Sequence, residues 1–231
     1  MKKIFSFLFL ASIIFLLTSN NGLAQFKLRL VPQTGMNFNL HTGSDIESGS
    51  GFGFVIGGGA DMQFTKTIGL IANLQFYDNR SGSISQTGSN QYQDNQGNPV
   101  SSTVTADNSI SLAYFMIEPL FKLSIENSGF YFVIGPCVGF NVEGSTEQTI
   151  TESFPPPYQS NDSKKTSKST LKETLVRFEL KTGAGYDFWL SKTIALTPQL
   201  TFGYGITKVV KDVSWRVLTI QALVGVKIAL I

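Results

Sequence analysis

The sequence predicts an all-β chain, an eight-stranded antiparallel up-and-down transmembrane β-barrel with short turns at one end and long loops at the other. Three observations predict it. From Gln25 onward, apolar residues alternate with polar ones in eight runs of about ten residues or more, the length of a tilted membrane-spanning strand. The connections alternate between hairpin-sized turns and long polar segments. Glycine gathers on the polar face of the runs, beside long charged side chains.

The chain begins with Lys2-Lys3, an apolar run from Ile4 to Leu17, and small residues at Gly22 and Ala24. A basic start, an apolar stretch too short to span comfortably and a small-residue site read as a secretory leader over residues 1–24, cleaved after Ala24. The barrel domain is then expected over residues 25–231.

The first run carries Phe26, Leu28, Leu30, Met36, Phe38 and Leu40 on one face and Lys27, Arg29, Gln33, Asn37 and Asn39 on the other. The second sets Phe52, Phe54, Ile56 and Met62 against Gly53, Gly57, Gly59, Asp61 and Gln63. The third sets Ile68, Leu70, Leu74 and Phe76 against Gly69, Asn73 and Gln75. The fourth sets Phe115, Ile117, Phe121 and Leu123 against Tyr114, Glu118 and Lys122. The fifth sets Phe130, Phe132, Ile134 and Phe140 against Gly135, Cys137, Gly139 and Asn141. The sixth sets Phe178, Leu180, Tyr186 and Phe188 against Arg177, Glu179, Lys181 and Asp187. The seventh and eighth place Leu200, Phe202, Ile220 and Val224 opposite Gln199, Thr201, Gly203, Gln221, Gly225 and Lys227. Turns fall at 65–67, 126–129 and 191–193, and long connections at 41–51, 78–109, 143–172 and 207–214. That asymmetry is the outer-membrane pattern, with the long loops outside the cell and both termini on the periplasmic side.

Alternation alone does not say which face points inward. A soluble lipocalin-like lipid-binding barrel would hold its apolar face inside. Glycine weakens a solvated sheet face, whereas in a narrow lumen it leaves room for long neighbours. Aromatics near the strand ends suit interfacial girdles. Both features favour the membrane arrangement, with outer-membrane lipid around the wall. Eight strands enclose a lumen just wide enough for side chains to fill. Its charges must then pair, because an isolated buried charge is costly. Arg29, Asp61, Glu118, Lys122, Arg177, Glu179, Lys181 and Asp187 form the expected structural cluster, a salt-bridged plug with no pore. Pro32, Pro119, Pro136 and Pro198 fall within strands, where bulges are expected.

Composition removes other classes. At 42% hydrophobic and 12% aromatic the chain is no disordered polymer, and Cys137 alone excludes a disulfide framework. With His41 the single histidine, no material remains for a zinc, haem or iron–sulfur site, and no cofactor is expected. There are 18 basic and 16 acidic residues, and setting Lys2 and Lys3 aside balances them. With no basic block, no nucleic-acid partner is expected.

Tyr114-Phe-Met-Ile-Glu-Pro-Leu-Phe-Lys-Leu123, Phe132-Val-Ile-Gly-Pro-Cys-Val-Gly-Phe140, Thr182-Gly-Ala-Gly-Tyr-Asp-Phe188, the segment from Leu200 to Thr207 and the closing strand from Val217 to Lys227 resemble PorT-like outer-membrane β-barrel proteins of Bacteroidota. The resemblance spans the mature chain and implies the fold, insertion by the barrel-insertion machinery, and a structural or interaction role. A minority of the family is linked to gliding or type IX secretion, so an envelope or secretion protein is the implied partner. Glu118 directly precedes Pro119 where the family usually has one residue between, and Ile231 stands where barrels usually end in an aromatic.

Enzymatic chemistry has little to stand on. His41 beside Thr42, Ser44 and Asp45 could suggest a lipid A acyl hydrolase or transferase, but this is ordinary turn composition. Glu118 with Lys122 and Glu179 with Lys181 read as structural ion pairs rather than acid/base pairs. Asp94 to Asn98 lacks the ligand series of a calcium loop and reads as a hairpin tip. Cys137 reads as a small filler. The segments around Ser81–Gln96 and around Pro155–Pro157 with Lys164-Lys165 read as mobile surface loops, where recognition by a monomeric barrel would take place.

Overall fold

The computed structural model describes residues 26–94, 96–171 and 176–230. The expected leader, its cleavage point and Ile231 lie outside them. Eleven strands run β1 Lys27–Thr42, β2 Gly49–Gln63, β3 Ile68–Asn79, β4 Gly82–Gln93, β5 Pro99–Ser124, β6 Phe130–Ser153, β7 Ser163–Thr170, β8 Arg177–Tyr186, β9 Phe188–Trp189, β10 Ile194–Gly205 and β11 Arg216–Ala229. Nine of them make a wall of eight staves in sequence order: β1, β2, β3, the lower half of β5, the lower half of β6, β8 continued by β9 as one stave, β10 and β11. The antiparallel pair β1–β11, from Arg29 opposite Ala229 to Thr42 opposite Arg216, closes the ring and leaves the wall no free edge.

The wall is inverted relative to a soluble barrel. Phe52 is 72% and Leu200 58% exposed, while Asp61, Arg80 and Glu118 are 0% exposed. The apolar face meets lipid and the polar face fills the lumen, which excludes the lipocalin-like arrangement. Outward aromatics pair at both ends: Phe26 with Phe64, and Tyr186 with both Phe130 and Phe188, near the short turns, Phe38 with Phe52 and Phe54 with Tyr77 near the long connections. Such girdles anchor a barrel at the two interfaces.

Side chains close the short turns. Thr65 Oγ1 accepts from Ile68 N, and Ser191 Oγ from Ile194 N, each taking up an amide the turn would strand. In the 126–129 turn, Asn127 and Gly129 adopt φ of 60° and 77°, the left-handed region these residues tolerate.

The prolines do not produce the expected bulges. All four interrupt a ladder without shifting its register. Pairing of β5 with β6 skips from Ile117–Val138 to Phe121–Ile134, so Pro119 and Pro136 share one gap. Pairing of β1 with β11 skips from Leu30–Ile228 to Gln33–Gly225 around Pro32, and Pro198 faces the break between β8 and β9. Each residue's N–H serves one neighbouring strand only, so a proline silences one side and leaves the other ladder intact. Bulges occur elsewhere. One in β3, at Phe76–Tyr77, shifts pairing with both β2 and β5, and one in β6 falls at Val142.

The two longest connections, expected as loops, are built largely of strand. Above the wall β5 pairs with β4 and with β6, and β6 pairs with β7, making a four-stranded antiparallel sheet that projects from the long-connection end. Hydroxyl side chains bridge its strands, as Thr149 to Thr166 at 3.2 Å and Thr146 to Ser169 at 3.0 Å. At one hairpin tip, Asp94 accepts from the backbone amides of Gln96 and Asn98 at 2.8 Å and from the Asn98 amide group and the Tyr158 hydroxyl at 3.0 Å. Those donors, the Asn98 side chain foremost, hold its carboxyl down at about 2. All of these partners are protein groups that build a turn.

Candidate functional site

Every residue of the expected cluster is buried in the lumen, but the structure sorts them into two layers. The lower layer, toward the periplasmic end, joins Arg29, Asp61, Lys122 and Asp187 with Lys227. Asp61 Oδ2 accepts from Lys122 Nζ at 2.7 Å and forms an ion pair with Lys227 Nζ, also at 2.7 Å, and Asp187 Oδ1 lies 2.6 Å from Lys227 Nζ. The Tyr131 ring faces both lysines, with Nζ atoms 4.7 and 4.5 Å from its centroid, a cation–π arrangement. Its hydroxyl reaches Thr197 Oγ1 at 2.8 Å, and that threonine donates to Asp187 at 2.9 Å.

The upper layer joins Glu118, Arg177, Glu179 and Lys181 with Asp78 and Arg80. Arg80 forks onto Asp78, Nε to Oδ1 at 2.8 Å and a terminal nitrogen to Oδ2 at 2.5 Å, with its other terminal nitrogen 3.5 Å from Glu179. Arg177 places Nε and a terminal nitrogen on Glu179 Oε2 at 2.9 and 2.5 Å, and donates to the Val217 carbonyl at 2.8 Å. Lys181 donates to Glu118 and to Gln221 Oε1. Amides complete the network: Asn73 and Gln75 donate to Glu118, Gln221 to Asn37, and Asn37 to Asp78.

The expected pairing of Glu118 with Lys122 is not made. Four residues along a strand separate them by about 13 Å, with Leu120 inward between them, so each joins a different layer. Glu179 does face Lys181, at 3.9 Å, but its close partner is Arg177. Asp78 and Arg80 are absent from the cluster expected from the sequence because strict alternation puts position 78 on the outer face. The β3 bulge reverses the alternation and aims both inward.

Glycines provide the space. A Cβ on Gly203 would fall 2.0 Å from Glu179 Oε1, and one on Gly185 2.3 Å from the Tyr131 ring. Gly185→Ala is therefore expected to cost about 1–3 kcal/mol through overpacking, read as a lower urea midpoint for the barrel in micelles. Gly88→Ala, in the open on β4, serves as the control and should leave the midpoint unchanged.

Above the ion layers Leu112, Tyr114, Trp215 and Val217 pack with Ile84 and Ile110 of the projecting sheet and cap the lumen. His41 lies under this cap with Nδ1 accepting from Trp215 Nε1 at 3.1 Å. Asp45 instead accepts from Ser44 Oγ and the Ser214 amide. The residues around His41 thus make a structural rim and no nucleophile–histidine–acid relay. Cys137 is fully buried among the upper residues.

Comparison with curated protein sequences finds no significant match. Among solved structures, OprG from Pseudomonas aeruginosa aligns with TM-score 0.41 and 10% identity over 88% of this chain and 96% of its own. Ail, the attachment invasion locus protein of Yersinia pestis, aligns with TM-score 0.39 and 9% identity over 87% and 97%. Neisserial surface protein A aligns with TM-score 0.33 and 16% identity over 86% and 96%. The profile of the family described as outer membrane protein beta-barrel domain matches residues 20–211, most of the strands of the closed wall. An inverted wall, aromatic girdles and that match together place the chain in the outer membrane, as a member of the outer membrane protein beta-barrel domain family.

Proposed function

We propose that the protein is a monomeric, non-enzymatic barrel with a plugged lumen, whose working part is the projecting sheet and whose partner is an envelope or secretion protein of the PorT-like systems. The observation that carries this reading is the length of β5 and β6, 26 and 24 residues, where about 9–11 cross a bilayer. The excess, with β4 and β7, is hydrogen-bonded β-surface outside the membrane. A preformed sheet presents its side chains at lower entropic cost than a flexible loop.

The sheet's chemistry points to face recognition. Thr105, Thr151 and Lys164 lie in one cross-strand row and Asp107, Thr149 and Thr166 in the next, a polar face rich in hydroxyls. All eight residues of β7 are exposed, and Lys164, Lys165 and Lys168 guard that edge against pairing with another strand.

Replacing residues 84–108 and 147–168 by short turns tests the reading. The trimmed barrel is expected to insert and keep its heat-dependent gel mobility, because the removed strands pair almost wholly with one another. Crosslinking to its envelope partner should be lost. An unaltered crosslinking pattern in the trimmed barrel would overturn the proposal. In planar bilayers the intact protein is expected to give no discrete conductance steps.

A further inference from the structure

The lumen carries more positive than negative charge. Among the described residues, buried Arg29, Arg80, Lys122, Arg177, Lys181 and Lys227 face buried Asp61, Asp78, Glu118, Glu179 and Asp187. The upper layer balances, three against three, so the surplus sits in the lower one. There the two lysines occupy the carboxylates, both on Asp61 Oδ2 at 2.7 Å and Lys227 also on Asp187 at 2.6 Å. Arg29 is left over. Among the described residues its nearest carboxylate oxygen is the same Asp61 Oδ2, at 3.6 Å, too far for a hydrogen bond. Its side chain is only 9% exposed, and its guanidinium carbon stands 5.1 Å from the centre of the Trp189 ring.

Arg29 and Trp189 line a vestibule of about 1150 Å³ at the periplasmic end, with Lys27, Lys66 and Glu126 on its rim. A guanidinium without a hydrogen-bonded carboxylate, backed by a surplus charge and facing a cavity, has the chemistry of an oxyanion anchor. We propose that this vestibule binds a small periplasmic ligand through a carboxylate or phosphate group, with Arg29 as the anchor and Trp189 as the wall for the ligand's apolar part. The volume accommodates a short peptide or a sugar phosphate and far exceeds that of a bare anion. The site faces the opposite end from the projecting sheet and stands whether or not that sheet binds a partner.

The test titrates the whole folded barrel in zwitterionic micelles, following tryptophan emission. Of the two tryptophans, Trp215 is 5% exposed under the outer cap, so accessible change reports Trp189. The probes are inorganic phosphate, trialanine with a free carboxylate and trialanine amide. Saturable binding of phosphate or of the free-acid peptide is expected, weakened about tenfold or more in Arg29→Gln, the loss of a charge-assisted hydrogen bond. The amide should bind about tenfold or more weakly than the acid. Saturation by phosphate alone assigns the site to a free anion, and tighter binding of the peptide assigns it to a carboxylate on a larger ligand. Both outcomes support an oxyanion site. Absence of saturation by either, or equal binding to Arg29→Gln, overturns it. If Arg29→Gln does not fold, the urea midpoint of the unmodified barrel decides: phosphate or the free-acid peptide must raise it, and a midpoint unchanged by both overturns the proposal.

Discussion

Glu179→Leu is expected to lower the unfolding free energy of the barrel by about 3–5 kcal/mol, the usual cost of stripping one partner from a buried ion pair. Glu179 is 1% exposed and faces three cations: Arg177 at 2.5 Å, Arg80 at 3.5 Å and Lys181 at 3.9 Å. Without it, two guanidiniums and an ammonium would share Asp78 and Glu118, and a neutral layer would become positive inside a low-dielectric wall. Leucine fills part of the volume but cannot accept the Arg177 hydrogen bonds. Glu179→Gln keeps the shape and loses the charge, so it should fall on the same side of the wild type. Urea unfolding in micelles, read by the heat-dependent mobility shift, gives the number. A midpoint within about 0.5 kcal/mol of the wild type would mean that water, and not the carboxylate, stabilises these cations.

Where the physics was local, the sequence carried it. Period-two alternation puts Phe132 and Ile134 outside and Tyr131 and Val133 inside, and the structure has them so. The same alternation supplies all eight wall strands, since a residue's face depends only on its parity along its own strand. Partner choice is a different kind of information. That Glu118 bonds to Lys181 across the lumen, rather than to Lys122 on its own strand, depends on the register of strands 63 residues apart. Lys227 shows the same limit: its inward direction was legible, but its place between Asp61 and Asp187 was not. Asp78 and Arg80 were hidden for a sharper reason. One extra residue in β3 inverts the parity of everything after it, and no residue type marks the bulge. The projecting hairpins escaped because Ser, Thr, Gln and Asn on both faces leave no hydrophobic alternation to read. The prolines misled in the other direction, because a missing N–H calls for a gap in one ladder and not for an inserted residue.

Asp61→Asn is expected to be at least as damaging as Glu179→Leu, at about 3–5 kcal/mol, and its second-site behaviour separates charge from packing. Asp61 is 0% exposed and its Oδ2 holds both lower-layer lysines, with Arg29 at 3.6 Å. Asparagine is nearly isosteric, so packing barely changes while three cations are left with Asp187 as their one buried carboxylate. Asp61→Asn with Lys227→Met restores the original surplus and should recover most of the lost stability. Adding Arg29→Gln to Asp61→Asn should also recover part, since either change removes one positive charge from the same layer. If the loss came from broken geometry around Asp61, neither second substitution would help, and Lys227→Met would cost more by stranding Asp187.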